Sequence, residues 1–257
     1  MARPAVFLLL AHFIRTGKYV KIDRFFYSGA GAVFLALMLA GFHPFFLHGT
    51  HFDGSRIDPS IFWVVAVHGV AITAWFVLFF VQSLLIAARN RRLHMTLGWS
   101  AIVIGIAVAG SGTLVAIRSV QLTPGFVFFN MEYPRFLLAM FMEMAMFTGF
   151  LTAGIVTRKK PKVHRTLMLL TGLTILPGAT ARIPFLYPVF GHSGWIGLFG
   201  PVFCLGALLL LIRLQMTRKF DPWFAGGYLA LVVMYIAATT LSLTETWSHM
   251  AARILAL

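Results

Sequence analysis

The 257-residue chain contains one cysteine, Cys204, and only seven acidic residues, and 11% of it is charged. A single thiol excludes an internal disulfide framework and any multi-cysteine metal or iron–sulfur site. Soluble domains carry roughly a quarter charged residues, so a soluble globular domain is excluded as well. Several chemical signatures are missing: there is no Gly-rich phosphate loop, no Gly-x-Ser-x-Gly elbow and no His-Glu-x-x-His. Every lysine lies in a basic cluster between apolar runs, which leaves none to hold retinal as a Schiff base.

What the chain has in abundance is apolar surface, 60% of its residues, together with a formal charge of +14. In a soluble protein that charge would suggest nucleic acid. Here it is read by its position relative to the apolar spans, and no nucleic-acid partner is expected. Runs long enough to cross a bilayer, about 20 residues each, recur near 25–42, 61–88, 96–117, 134–157, 165–186, 195–213 and 223–244. The expected fold is therefore all-α, a polytopic membrane protein with seven transmembrane helices and the lipid bilayer as its first partner. Sixteen of the 21 Lys and Arg lie before span one or after spans two, four and six, and five lie at the other ends. The positive-inside bias then places the N-terminus in the cytoplasm and the C-terminus outside. Residues 1–24 read as a cytoplasmic or interfacial segment, with the apolar run 3–14 on the inner leaflet anchored by Lys18 and Lys21. Residues 25–257 read as one seven-helix domain.

A repeat links two pairs of spans. Arg91-Arg92-Leu93-His94-Met95-Thr96-Leu97 opens span three, and Pro161-Lys162-Val163-His164-Arg165-Thr166-Leu167 opens span five, 70 residues later. Spans two and three would then recur as four and five in parallel orientation. His94 and His164 carry two readings. As structural residues they meet headgroups or satisfy local backbone groups; as a functional pair at one depth they ligate a haem iron or hydrogen-bond a quinone.

On span two His68, Trp75 and Gln82 are seven residues apart, which keeps them on nearly one helix face. A His and a Gln facing lipid are costly, so that face should point into the bundle. Span four carries Glu143, at about the same depth as His68. An intramembrane carboxylate is a functional-site hypothesis by default; its named partners are His68 first and Arg182, near the end of span five, second. The competing reading is a buried Glu143–Arg182 pair that only fixes helix register. Pro177 removes a helical hydrogen bond in span five and predicts a kink, with the freed carbonyl taken by Thr174 or water. Ala101, Gly105 and Ala109 on span three predict a close helix approach. The loop holding His43, His48, His51 and Asp53 is metal-like in composition, although its spacing matches no zinc signature; a solvated His-rich loop is the alternative.

His68-Gly69, Thr73-Ala74-Trp75 and Gln82, then Leu93-His94 with Leu97-Gly98, then His164-Arg165 with Leu167-Met168-Leu169-Leu170 resemble the motifs of a widespread group of uncharacterised bacterial multi-span membrane proteins. The likeness covers about residues 25–185. It departs at Met95 and at Arg165-Thr166, which changes charge and keeps the histidine positions. The group is loosely similar to cytochrome b561-like and haem-oxidase-assembly membrane proteins. The resemblance implies a multi-pass protein of the bacterial cytoplasmic (inner) membrane and brings no activity with it.

Three functions follow as expectations. The first is a cofactor-binding, redox-associated protein whose outer polar centre of His68, Glu143 and Arg182 takes haem b, a quinone headgroup or a metal ion, with Trp75, Gln82, His94 and His164 as further cofactor-binding residues. The second is a non-catalytic accessory or assembly subunit docking to other subunits of a membrane complex. The third is a metal-dependent hydrolase that holds its metal through His68, Glu143 and the loop histidines, with a metal-bound water as nucleophile.

Overall fold

A computed structural model describes residues 18–51, 53–190 and 194–256. In chain order the helices are α1 (Lys18–His48), α2 (Pro59–Ala87), α3 (Arg91–Gly98), α4 (Ser100–Leu122), α5 (Tyr133–Val156), α6 (Pro161–Thr174), α7 (Pro177–Thr180), α8 (Tyr187–Phe190), α9 (Trp195–Thr217), α10 (Pro222–Ser242) and α11 (Glu245–Leu255). Six of them, α1, α2, α4, α5, α9 and α10, are long and apolar enough to cross a membrane. The segments Pro161–Thr180 and Pro184–Phe190 meet at 85° and make a seventh crossing if counted as one broken span. The outward faces are apolar: Val70, Val103, Ile106 and Leu229 each expose more than 60% of their surface, the pattern of helices bathed in lipid rather than water. The fold fits an all-α polytopic membrane protein. The expected interfacial run 3–14 lies outside the described residues.

Helix starts follow local chemistry. Asp58 accepts from the Ser60 N–H at 2.8 Å and Asp221 from the Phe224 N–H at 3.2 Å, each just ahead of a proline in the first turn. Asn90 caps α3 through Leu93 N–H at 3.1 Å. Between α4 and α5 lies a two-residue-per-strand hairpin that the sequence did not announce, β1 (Val127–Phe128) against antiparallel β2 (Met131–Glu132). Its turn residues Phe129 and Asn130 both have positive φ, 49° and 58°, the signature of a type I′ turn.

Helix α6 is the centre of the bundle, touched by α1, α2, α5 and α10. Leu169, Leu170 and Leu173 are fully buried there. Its threonines are buried without cost, because Thr166, Thr171 and Thr174 each donate to a carbonyl of the preceding turn. The small residues of α4 act as expected: Gly105 lies beneath the Leu151 side chain and 3.8 Å from Trp75 Cζ3, measured from where a Cβ would stand.

The kink expected at Pro177 is a full break. The helix stops at Thr174 and restarts at Pro177. The buried carbonyl of Thr174 is taken by the Tyr235 hydroxyl of α10 at 2.6 Å, and the Thr174 hydroxyl donates to the Leu170 carbonyl rather than to the Leu173 carbonyl that Pro177 frees. The backbone of Ala179 then presses directly on Gly41 of α1, where any Cβ would collide with it. This turns the chain back into the bundle and carries Arg182 with it.

The basic clusters gather at one end. Arg165 and Arg213 each stand 5.2 Å from the Tyr27 ring, Arg158 lies 5.8 Å from the Trp99 ring, and the rings of His94 and His164 are 6.4 Å apart. This grouping fits the alternation seen in the charge count. The two halves of the repeat differ locally, since His94 sits on the separate short helix α3 and His164 on the core helix α6. At the opposite end α11 lies across α4 and α5, with Trp247 donating to the Pro134 carbonyl at 3.0 Å and Gln121 to the Leu255 carbonyl at 3.1 Å.

Candidate functional site

Counted from the helix starts at Pro59 and Tyr133, His68 and Glu143 stand about 14 and 15 Å along their helices at 1.5 Å per residue. Both therefore lie at a similar distance along their helices. His68 Nδ1 lies 3.0 Å from Ser111 Oγ of α4, and that hydroxyl donates its proton to the Ala107 carbonyl at 2.5 Å. The hydroxyl has one proton to give, so it accepts from His68, and the neutral ring carries its hydrogen on Nδ1. Nε2 therefore keeps a bare lone pair, which no atom among the described residues takes up. Across Gly112, where a Cβ would stand 3.0 Å from His68 Cε1 and 2.6 Å from Met144 Sδ, the ring faces the segment that carries Glu143.

Arg182 arrives from the broken segment. Its guanidinium donates to the Gly178 carbonyl and lies 5.2 Å from the Phe42 ring. From there it acts electrostatically on Glu143, His68 and Tyr133. It acts on both Glu143 and His68, and His68 Nδ1 hydrogen-bonds Ser111. The carboxylate and the guanidinium do not close an ion pair within 4 Å, and Glu143 accepts no hydrogen bond among the described residues. A register-fixing pair would be closed. Ser111, Tyr133 and Tyr235 were missed in the sequence; the one available signal was Ser111 standing between Gly110 and Gly112 in an otherwise apolar span.

An open groove of about 480 Å3 runs between α4 and α5, lined by Ala109, Thr113, Phe141, Met144, Ala145 and Thr148. The hydroxyls of Thr113 and Thr148 are engaged by carbonyls of their own helices, so the groove is apolar in effect. Met144 stands between it and His68.

The other expected residues lie elsewhere. Trp75 is 1% exposed, packed edge-on against Phe147 with ring centres 5.0 Å apart. Gln82 is on the same inward face about 21 Å from His68 along the helix axis, with both amide atoms buried and unpartnered, as is Trp75 Nε1. His94 and His164 meet at the basic end, and burial holds the His94 imidazole below its ordinary pKa, with the neighbouring His164 adding to the effect. The loop histidines do not gather: His43 lies on α1 and bonds the Ala40 carbonyl at 2.8 Å, His48 ends that helix, His51 is exposed, and Asp53 is engaged by Ser55. Among the described residues no three of His, Cys, Asp and Glu come together to hold a metal ion. Glu245 and His249, on α11, are exposed and stand apart from the centre.

Comparison with protein-family models, with curated proteins and with solved structures finds no match for the chain.

Proposed function

We propose that the chain is a multi-pass protein of the bacterial cytoplasmic membrane, N-terminus inside, that binds a redox cofactor in the centre formed by His68, Glu143 and Arg182. The cofactor that suits these residues best is a quinone headgroup. The observation that carries the reading is a buried guanidinium and a buried carboxyl that close no ion pair with each other, beside an imidazole whose Nε2 no described residue engages. Buried polar groups left without a partner cost free energy that a bound ligand can offset. A quinone offers carbonyl oxygens that accept hydrogen bonds and, when reduced, hydroxyls that donate them. Arg182 would hold a carbonyl oxygen; His68 Nε2 and Glu143 would accept from a hydroxyl. The Ser111–Ala107 relay fixes which imidazole nitrogen is available, and Phe42 restricts the guanidinium plane. A quinone, when bound, supplies paired proton and electron transfer at its two oxygens. The apolar groove beside Met144 offers its tail a lateral way out to lipid.

The test is binding of a short-tailed ubiquinone to the purified protein in nanodiscs, followed by extraction and quantification. Wild type should retain about one quinone per chain. Arg182→Gln and Glu143→Gln should lower retention by about tenfold or more, the scale of a lost charge-assisted hydrogen bond. Equal retention in all three proteins would defeat the proposal, and a haem absorption band abolished by His68→Ala would replace the quinone with haem.

A further inference from the structure

The basic end carries a second surface, separate from the centre just described. Its reading rests on the placement of the chain in a membrane with that end inside, and not on the cofactor. Helix α3 has eight residues, too few for a helix to persist in water unaided, and none of its side chains is buried. The side bearing His94 and Gly98 turns toward the bundle: the His94 ring is 6.4 Å from that of His164, and a Cβ on Gly98 would stand 3.9 Å from Gln82 Nε2. Around the rest of the helix apolar and cationic side chains are interleaved. Leu93 and Leu97 are exposed, Met95 and the adjoining Trp99 each expose 62% of their surface, and Arg91 and Arg92 are exposed among them. A helix that mixes arginine with long apolar side chains, ending in an exposed tryptophan, fits the boundary between headgroups and hydrocarbon.

The turn between α5 and α6 comes to the same place. Arg158 Cζ stands 5.8 Å from the Trp99 ring, with the guanidinium also donating to the Ile155 carbonyl at 3.3 Å. Lys159, Lys160 and Lys162 are exposed beside it, and Arg89 is exposed ahead of α3. Arg89 holds a φ of 63°, so a cation occupies a backbone position that glycine takes more cheaply. The chain has no acidic residue between 59 and 131 or between 144 and 220, and among the described residues none of these seven cations closes an ion pair. Orientation in the membrane requires cations on one side; it does not require two turns to converge beside an exposed tryptophan. We propose that α3 and the α5–α6 turn form a binding surface for the phosphodiester headgroup of an anionic phospholipid of the inner leaflet. Charge complementarity selects the occupant, since clusters of basic residues just cytoplasmic of a spanning helix attract anionic headgroups. Arginine grips a phosphate through two parallel hydrogen bonds, and the lysines add point charge. Trp99 holds the Arg158 guanidinium at headgroup level, while Leu93, Met95 and Leu97 meet the upper part of the acyl chains. A zwitterionic headgroup brings a cation of its own and gains little here.

The experiment titrates the full chain, purified in non-ionic detergent, with phosphatidylglycerol or phosphatidylcholine carrying the same fluorescent acyl chain. Wild type should prefer phosphatidylglycerol by about tenfold or more, and high salt should erode the preference. Arg92→Gln combined with Lys159→Gln should weaken phosphatidylglycerol by about tenfold, and Trp99→Ala by about threefold through the lost hold on Arg158. Arg118→Gln combined with Arg253→Gln, an equal loss of exposed charge at the opposite end, should bind like wild type. Glu143→Gln should do so too, which keeps this surface distinct from the cofactor centre. Equal affinity of wild type for the two lipids overturns the proposal, as does equal weakening by the opposite-end pair. Competition by free glycerol 3-phosphate as strong as that of the lipid overturns it in favour of a soluble anion. If the basic-end variants do not fold, hydrogen exchange of wild type decides: phosphatidylglycerol should protect residues 89–99 and 157–162, and protection confined to other segments overturns the surface. A chain that stays soluble without detergent would instead refute the membrane placement itself.

Discussion

At the basic end Arg213 commits its guanidinium to Asp221, 3.1 Å away, and to the rings of Phe26 and Tyr27, whereas at the other end Arg182 leaves Glu143 untouched. Both arginines lie inside the bundle. The first is part of a closed set: Asp221 also caps α10, and the Tyr27 hydroxyl lies 3.3 Å from Thr166 Oγ1. The second is held by a backbone carbonyl and one ring and closes no ion pair with Glu143. Closed pairs hold helices together, and open ones leave polar atoms for a ligand. The positive-inside count treats both as one unit of charge and cannot tell them apart.

The comparison breaks first at Arg213. Replacing it with alanine strands Asp221, and removing one partner of a buried pair costs about 3–5 kcal/mol; denaturant unfolding in detergent should register a loss of that size. Next comes Gly41→Ala, which drives a methyl into the Ala179 backbone and should cost about 1–3 kcal/mol by overpacking, read as a lower melting temperature. Tyr235→Phe leaves the Thr174 carbonyl unsatisfied, about 1–3 kcal/mol, and should loosen exchange of the amides around the α6 break. A smaller effect is expected from pH. Burial lowers the folded pKa of His94, so its contribution to stability is complete above the ordinary histidine pKa and fades as pH falls toward the lower folded value. Between pH 7.5 and 5 wild type should therefore lose more stability than His94→Gln. Smallest of all is Glu143→Gln, with under about 1 kcal/mol of stability change because no ion pair is broken. A loss as large as that of Arg213→Ala would erase the distinction between the two ends.

Much of the architecture was legible because bilayer length and helix rise impose it. The runs near 61–88, 134–157 and 223–244 appear as α2, α5 and α10 with small shifts at their ends, and the face bearing His68, Trp75 and Gln82 points inward as the cost of polar groups in lipid demands. Span five was read less well. Its apolar run continues past Pro177, yet the helix stops at Thr174, whose carbonyl goes to Tyr235, 61 residues away, rather than to the next turn. The His-rich loop shows the same limit: composition brought His43, His48, His51 and Asp53 into one list, and helix direction together with a local Asp53–Ser55 turn kept them from one point.

The sequence by itself determined that apolar helices long enough to cross a membrane build the chain, where charged residues punctuate them and which face of α2 avoids lipid, because these depend on length, period and transfer cost along one chain. Only the tertiary structure decided that His68 answers to Ser111, that Arg182 turns inward without closing on Glu143, and that the rings of His94 and His164 stand 6.4 Å apart. Those outcomes depend on which helices become neighbours and where a backbone carbonyl finds its donor, and neither quantity is a property of a single segment.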